Sequence, residues 1–174
     1  ETKSSKWVDI NYDNFYLPKE THPERSFVLS HMTMHEQHNG VVVDLGCSTN
    51  KTIEGAVGVD IRPVADICSD ISELQMLDDC LADVVISRHS LEHLPDTKKA
   101  LKEWSRILKP WGKLIVVLPD HEFINTFDKA LSNGEHLVAF TRDEFCQLVK
   151  ENFDEFNIVE TKTVIENWSF GVII

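Results

Sequence analysis

The residues that could do chemistry fall into two sets: acids that end apolar runs, and histidines in the loops that follow. The run VVVDLGCST (41–49) ends on Asp44, Gly46, Cys47 and Ser48, VGVDI (57–61) ends on Asp60, and CSDI (68–71) carries Asp70. Gly46 frees the backbone to turn tightly and lie against a ligand. Asp60 offers two acceptors at a strand end, which suits a vicinal diol such as a ribose. Asp44 selects the ligand's charge. A dinucleotide site places a pyrophosphate at this turn, where a carboxylate would repel it. Its fingerprint also asks for three glycines, and this turn has only Gly46. An acid here suits a ligand bearing ammonium and sulfonium charges.

The histidines lie where loops leave later apolar runs. His89 and His93 follow ADVVIS (82–87), His121 follows KLIVVL (113–118), and His136 sits in GEHLVAFT. Histidine is the usual general base near neutral pH, and His89 and His136 are the two expected to act on a substrate. The segment His89-Ser90-Leu91-Glu92-His93 also spells His-x-x-Glu-His, which on a helix can hold zinc. The plainer reading is that Glu92 and His93 brace the next helix, and no metal is assigned. His31, His35 and His38 recur at i, i+4, i+7, which reads as a solvated helix face rather than a metal clip.

These side chains need a scaffold. The chain has 174 residues, 42% hydrophobic and 26% charged, which suits one domain with a sizeable core. Short β-branched runs at 41–46, 56–60, 65–70, 82–87 and 113–118 read as buried parallel strands. Ala100, Leu101, Trp104, Ile107 and Leu108 share a helical face that Pro110 ends. Thr21/Glu24 and Thr141/Glu144 have capping-box spacing, predicting helices over 23–38 and from 142 to about 150. FNIVETKTVI and WSFGVII, split by Glu166-Asn167, read as a hairpin. The expectation is an α/β, doubly wound sheet of about seven strands, mostly parallel with an antiparallel C-terminal hairpin. Only ten residues separate Gly46 from Val57, and five separate Asp60 from Asp66, so the helices after the first two strands are shortened or absent. Residues 1–38 would form an N-terminal cap and helix, and 39–174 the core, of a single domain.

Lys and Arg total 17 against 29 Asp and Glu, a net charge of −12, which argues against nucleic acid as a partner. No apolar stretch approaches the ~20 residues of a membrane span. The N-terminal residues lack the apolar core of a signal peptide, and Cys47, Cys68, Cys80 and Cys146 form no CxxC pair, so a cytoplasmic protein with reduced thiols is expected.

The segments VVVDLGCS, VGVDI, CSDI, ADVVISRHSLEHLPD and LKEWSRILKPWGKLIVVLPD, in that order, resemble the class I S-adenosylmethionine (SAM)-dependent methyltransferases. The similarity is greatest to the small-molecule branch, whose fourth strand is followed by Leu-Glu-His, here Leu91-Glu92-His93. The resemblance implies a Rossmann-like fold with SAM as cofactor. It places Asp44, Gly46, Cys47 and Ser48 at the methionine end, Asp60 on the ribose hydroxyls and Ile61 against the adenine. Asp70 and Ile71 would sit beside the adenine amino group, and Ser87 and Arg88 beside the methionine. Without the resemblance, Asp70 reads as a cap on the turn that follows it. Some O-methyltransferases similar to this branch carry Glu-x-x-Glu-His after the fourth strand and bind a divalent ion; here the first acid is replaced by His89.

Two departures from the family pattern stand out. The family's Gly-x-Gly-x-Gly loop is Gly46-Cys47-Ser48-Thr49-Asn50 here, and the loop is short. Apart from these, the acceptor is constrained by an absence: where methylases of nucleic-acid amino groups carry Asn/Asp-Pro-Pro-aromatic, this chain reads Ser87-Arg88-His89-Ser90. The implied function is methyl transfer to oxygen or nitrogen of a small metabolite or saccharide, by in-line displacement. The competing reading is a degenerate SAM-binding module with a regulatory or interaction role, and a nicotinamide oxidoreductase is disfavoured by Asp44.

Overall fold

The computed structural model describes residues 6–132 and 134–174, without the side chains of Phe15 and Ser132. Residues 1–5 of the expected N-terminal cap lie outside the described residues. Seven strands form one sheet: β1 (Val42–Leu45), β2 (Val57–Asp60), β3 (Ile67–Cys68), β4 (Ala82–Arg88), β5 (Leu108–Pro119), β6 (Glu160–Ile165) and β7 (Ser169–Ile173). Their order is β3-β2-β1-β4-β5-β7-β6. The first five run parallel, and β7 enters antiparallel between β5 and β6. The topology reverses at β1/β4, so loops leaving both strands open onto the same rim, where such sheets bind ligands.

Alternation along the strands splits the core in two. Val84 and Ile86 of β4 join Val42, Ile115 and Val117 under α1 (Pro23–Ser30), with Phe27 and Val28. Val85 joins Val43, Leu45, Leu114 and Val116 under α3 (Thr97–Ile107) and α4 (Arg142–Asn152). In α3, Ala100, Leu101, Trp104 and Ile107 are buried, the Asp96 side chain caps the start, and the Trp104 indole donates to the Ile71 carbonyl at 2.8 Å. The Thr141/Glu144 capping box forms as expected. No helix follows β1 or β2 before the next strand.

The N-terminal helix differs from the expectation. The stretch 23–38 is two helices, α1 and α2 (Met34–His38), and the second capping box is Thr33/Glu36. The Thr33 hydroxyl accepts from the Glu36 amide while Glu36 accepts from the Thr33 amide, so a new helix starts there. Thr21 is not the cap of α1; His22 is, its Nδ1 accepting from the Glu24 amide. The Glu24 side chain turns inward. β5 also starts earlier than expected, because the Pro110-Trp111-Gly112 turn is absorbed inside the strand with Trp111 at φ 68° and a register shift opposite β4.

Two features hold α1 over the sheet. Gly171 of β7 has no Cβ because one would lie 2.3 Å from Phe27 Cε1. At the rim, Glu24, 3% exposed, accepts from His89 Nε2 at 2.7 Å, and His89 Nδ1 lies 3.5 Å from Glu92. Burial disfavours both charges, but each partner overrides it for the other: the Glu24 carboxyl is held down to about 2 and the His89 imidazole pushed up to about 10.

This pair predicts a pH window. Glu24 is depressed, so its stabilisation is present above its ordinary 4.5 and lost as pH falls toward about 2. His89 is raised, so its stabilisation is present below its ordinary 6.5 and lost as pH rises through about 10. The difference in melting temperature between wild type and Glu24→Gln should be greatest between those ordinary values and shrink on both sides. A difference that stays flat as pH falls from 4.5 toward about 2 and as it rises from 6.5 through about 10 would remove the pair from the stability of the fold.

Candidate active site

A cleft of about 410 Å³ opens on the rim. Its floor is the end of β1 and the turn after it, with Asp44, Gly46, Cys47 and Asn50. One wall is the end of β4 and the 3-10 turn Leu91–His93, with Arg88, His89, Glu92 and His93. The roof comes from Asn14, His22 and Glu24 on the N-terminal side and from Leu131, Glu135 and His136 after β5.

Asp44 is 2% exposed and accepts from the Thr52 amide at 2.6 Å. Burial raises its pKa, and the Thr52 bond and Arg88 partly offset the rise. Gly46 has φ 70°, and a Cβ there would fall 2.1 Å from Ser90 Oγ, which itself donates to the Leu45 carbonyl at 3.0 Å. Only glycine can therefore make this turn. Cys47 lies on the same floor, its thiol pushed up to about 11 by burial and by Asp44 and Asp60, so it is no nucleophile near neutral pH.

Asp60 closes the loop from the far side. Its carboxylate accepts from the Ser48 amide and the Arg62 amide, both at 2.9 Å. Ile61 beside it is 73% exposed, an apolar side chain held at the rim. Asp70 accepts from the amide and hydroxyl of Ser72, as a cap would, and is exposed, whereas Ile71 is buried in the core. Ser87 is fully buried in β4. The structure thus brings Asp44, Gly46, Cys47, Arg88, His89 and His136 into one cleft. Ser48, Asp60, Ile61 and Asp70 extend the rim beyond it toward β2 and β3, and Ser87 and Ile71 lie beneath.

The two expected histidines are in different electrostatic states. His89, with φ 50°, is an imidazolium clamped by Glu24 and Glu92, so it has no lone pair for a base role at neutral pH. His136 is neutral: burial lowers its pKa, with Glu92 partly opposing. Its Nδ1 faces the Thr126 carbonyl, which can only accept, so Nδ1 carries the hydrogen and Nε2 the lone pair. His121 serves structure, with Nδ1 2.8 Å from Thr126 Oγ1 and its carbonyl accepting from Trp7. His31 pairs with Glu160 at 2.7 Å, while His35 and His38 are exposed on α2. Glu92, read above as a brace for the next helix, lines the cleft, and so does Glu24, which the sequence does not single out as a cleft residue. Glu24 looks like an ordinary first-turn acid, and nothing local signals a partner 65 residues away. Among the described residues no helix is long and apolar enough to cross a membrane, and all four cysteines are unpaired.

Residues 43–116 match the family model described as "Methyltransferase domain". The chain is 36% identical over 92 residues to the Escherichia coli (strain K12) protein YafE, covering 48% of this chain and 44% of that protein. It is 26% identical over 151 residues to a chloroplastic tocopherol O-methyltransferase of Arabidopsis thaliana, covering 71% of this chain and 42% of the relative. The chain spans under half the length of the curated relatives it matches. A SAM-dependent methyltransferase structure from Mesorhizobium loti shares the fold with a TM-score of 0.70 at 13% identity, covering 90% of this chain and 99% of that one. The family match begins on β1 and ends in β5, spanning the Asp44 turn, Asp60 and the Leu-Glu-His turn, and over these residues the chain is similar to methyltransferase domains.

Proposed function

We propose that this chain transfers a methyl group from SAM to oxygen or nitrogen of a small metabolite or saccharide. The observation that carries the reading is one cleft holding the Asp44–Gly46 turn at one end and the imidazole of His136 at the other. The residues present fit the cofactor. Gly46, packed against Ser90 where no Cβ fits, turns its backbone along the cleft floor, and among the described residues the buried Asp44 carboxylate accepts one hydrogen bond, from the Thr52 amide. The exposed Ile61 and the Asp60 carboxylate beside it suit an adenosine.

When bound, SAM supplies an electrophilic methyl on a sulfonium, taken by in-line displacement. Asp44 would hold the ammonium and Arg88 the carboxylate of the methionine end. Asp60 would take the ribose hydroxyls, with Ile61 on the adenine and Asp70 on its amino group. The chain's main work at the other end is positioning, which supplies several kcal/mol when reacting atoms are held about 3 Å apart. His136 Nε2 is the basic atom there. His89 acts as a positioning residue, fixing Glu24 and Glu92 rather than taking a proton. The relative named for tocopherol O-methylation supports a small acceptor. A net charge of −12 and the absence of a large domain inserted into residues 6–174 weigh against nucleic acid. With reduced thiols, a cytoplasmic setting fits.

S-adenosylhomocysteine at ~100 times its Kd should stabilise the protein by about 2.7 kcal/mol, read as a raised melting temperature. Asp60→Ala and Gly46→Ala, checked for folding by circular dichroism, should lose that rise. An unchanged rise in both would take the Asp60 rim out of the site. Because burial raises the pKa of Asp44, that carboxylate is neutralised early on acidification. Calorimetry should therefore show affinity for S-adenosylhomocysteine falling as pH drops from neutral, with Asp44→Asn weak throughout and nearly pH-independent.

A further inference from the structure

Glu92 is 1% exposed, yet among the described residues neither of its carboxylate oxygens accepts a hydrogen bond. Such a group costs several kcal/mol unless something answers its charge. Its nearest cationic or basic neighbours are His89 Nδ1 at 3.5 Å and His136 Nε2 at 3.8 Å. His89 gives its Nε2 to Glu24 while its Nδ1, 3.5 Å from Glu92, makes no hydrogen bond to it, so one imidazolium is shared between two buried acids. His136 presents a lone pair, which repels a carboxylate. A cation between the carboxylate and that lone pair would satisfy both.

A third donor completes the arrangement. The rings of His93 and His136 meet edge to face with centroids 4.7 Å apart. His93 Nδ1 lies 3.2 Å from the Glu135 carbonyl, as His136 Nδ1 faces that of Thr126. A carbonyl only accepts, so both Nδ1 atoms carry hydrogen and both Nε2 atoms carry lone pairs. This is the outer-shell pattern that orients metal-binding histidines. The backbone locks the two segments together, Leu137 and Val138 amides donating to the Glu92 carbonyl at 2.8 and 3.2 Å. Glu92, His93 and His136 each place one donor atom within 4.8 Å of the others. Bonds of about 2.1 Å would draw such donors together by roughly 1 Å.

We infer that Glu92, His93 and His136 form a binding site for one divalent transition-metal ion. Two imidazoles and a carboxylate suit zinc, manganese or iron and disfavour magnesium, which prefers oxygen ligands and water. Three protein ligands leave positions open toward the cleft that all three residues line. The purpose of the ion, though not its binding, rests on the methyltransferase reading. It would bind an acceptor hydroxyl and favour its ionised form, releasing the proton to solvent, so that oxygen attacks the methyl. His136 would then act through the ion, and the acceptor class narrows to molecules with an oxygen able to ligate a metal.

The test is equilibrium dialysis of the metal-stripped chain against Zn²⁺, Mn²⁺ and Mg²⁺, with bound metal measured by mass spectrometry. The wild type should bind about one Zn²⁺ or Mn²⁺ per chain and no Mg²⁺ at the same free concentration. His136→Ala and His93→Ala should weaken binding tenfold or more, and His35→Ala, on exposed α2, should not. His93 is only half-buried, so its variant remains informative if His136→Ala fails to fold. No uptake by folded wild type, or uptake unchanged in His93→Ala, overturns the site. The thermal shift with S-adenosylhomocysteine, run on the same samples without metal, reports separately on the methyltransferase reading.

Discussion

Glu24 and Glu92 are carboxylates taken almost wholly out of water, and each would cost several kcal/mol if nothing answered its charge. His89 stands between them, bonded to one and 3.5 Å from the other. That shared imidazolium joins three parts of the chain that have little else in common: the first turn of α1, the end of β4, and the turn after it. The left-handed backbone of His89 aims the ring there. Strain of this kind persists only where surroundings over-determine it, and two buried acids do so. The cleft's roof and wall therefore keep their spacing through charge, while its floor keeps shape through packing of Ser90 against Gly46.

The acids gather because parallel strands all end on the same side. Asp44 closes β1 and Asp60 closes β2, in register with each other's strands through Val43↔Val57 and Leu45↔Val59. A row of carboxylates on one rim is unfavourable by itself. Arg88 and backbone amides of Ser48, Thr52 and Arg62 offset it in part, and a cationic ligand would offset the rest.

Much of this was legible from the residue order. Buried parallel strands are forced into β-branched runs bounded by glycine, so β1, β2, β4 and β5 announced themselves. Counting residues between Gly46 and Val57 excluded a full helix. The break at Thr33 was also readable, since Thr33 and Glu36 have capping-box spacing. Other features depend on contacts distant in sequence. Nothing near Glu24 or His89 reveals that they are partners, and the protonation of each histidine follows from which carbonyl its ring meets. The site thus reads as a set of candidate residue types, and the roles emerge only when their neighbours are known.

Phe27 rests in the space left by Gly171, and His31 reaches Glu160 across 129 residues of chain. These contacts bind α1 to β6 and β7. During synthesis α1 is made early but has no surface to dock on until those last strands emerge. Closing so distant a contact is slow, because the entropy of the intervening loop must be overcome first. Until then the apolar side of α1 and the facing side of the sheet stay exposed together.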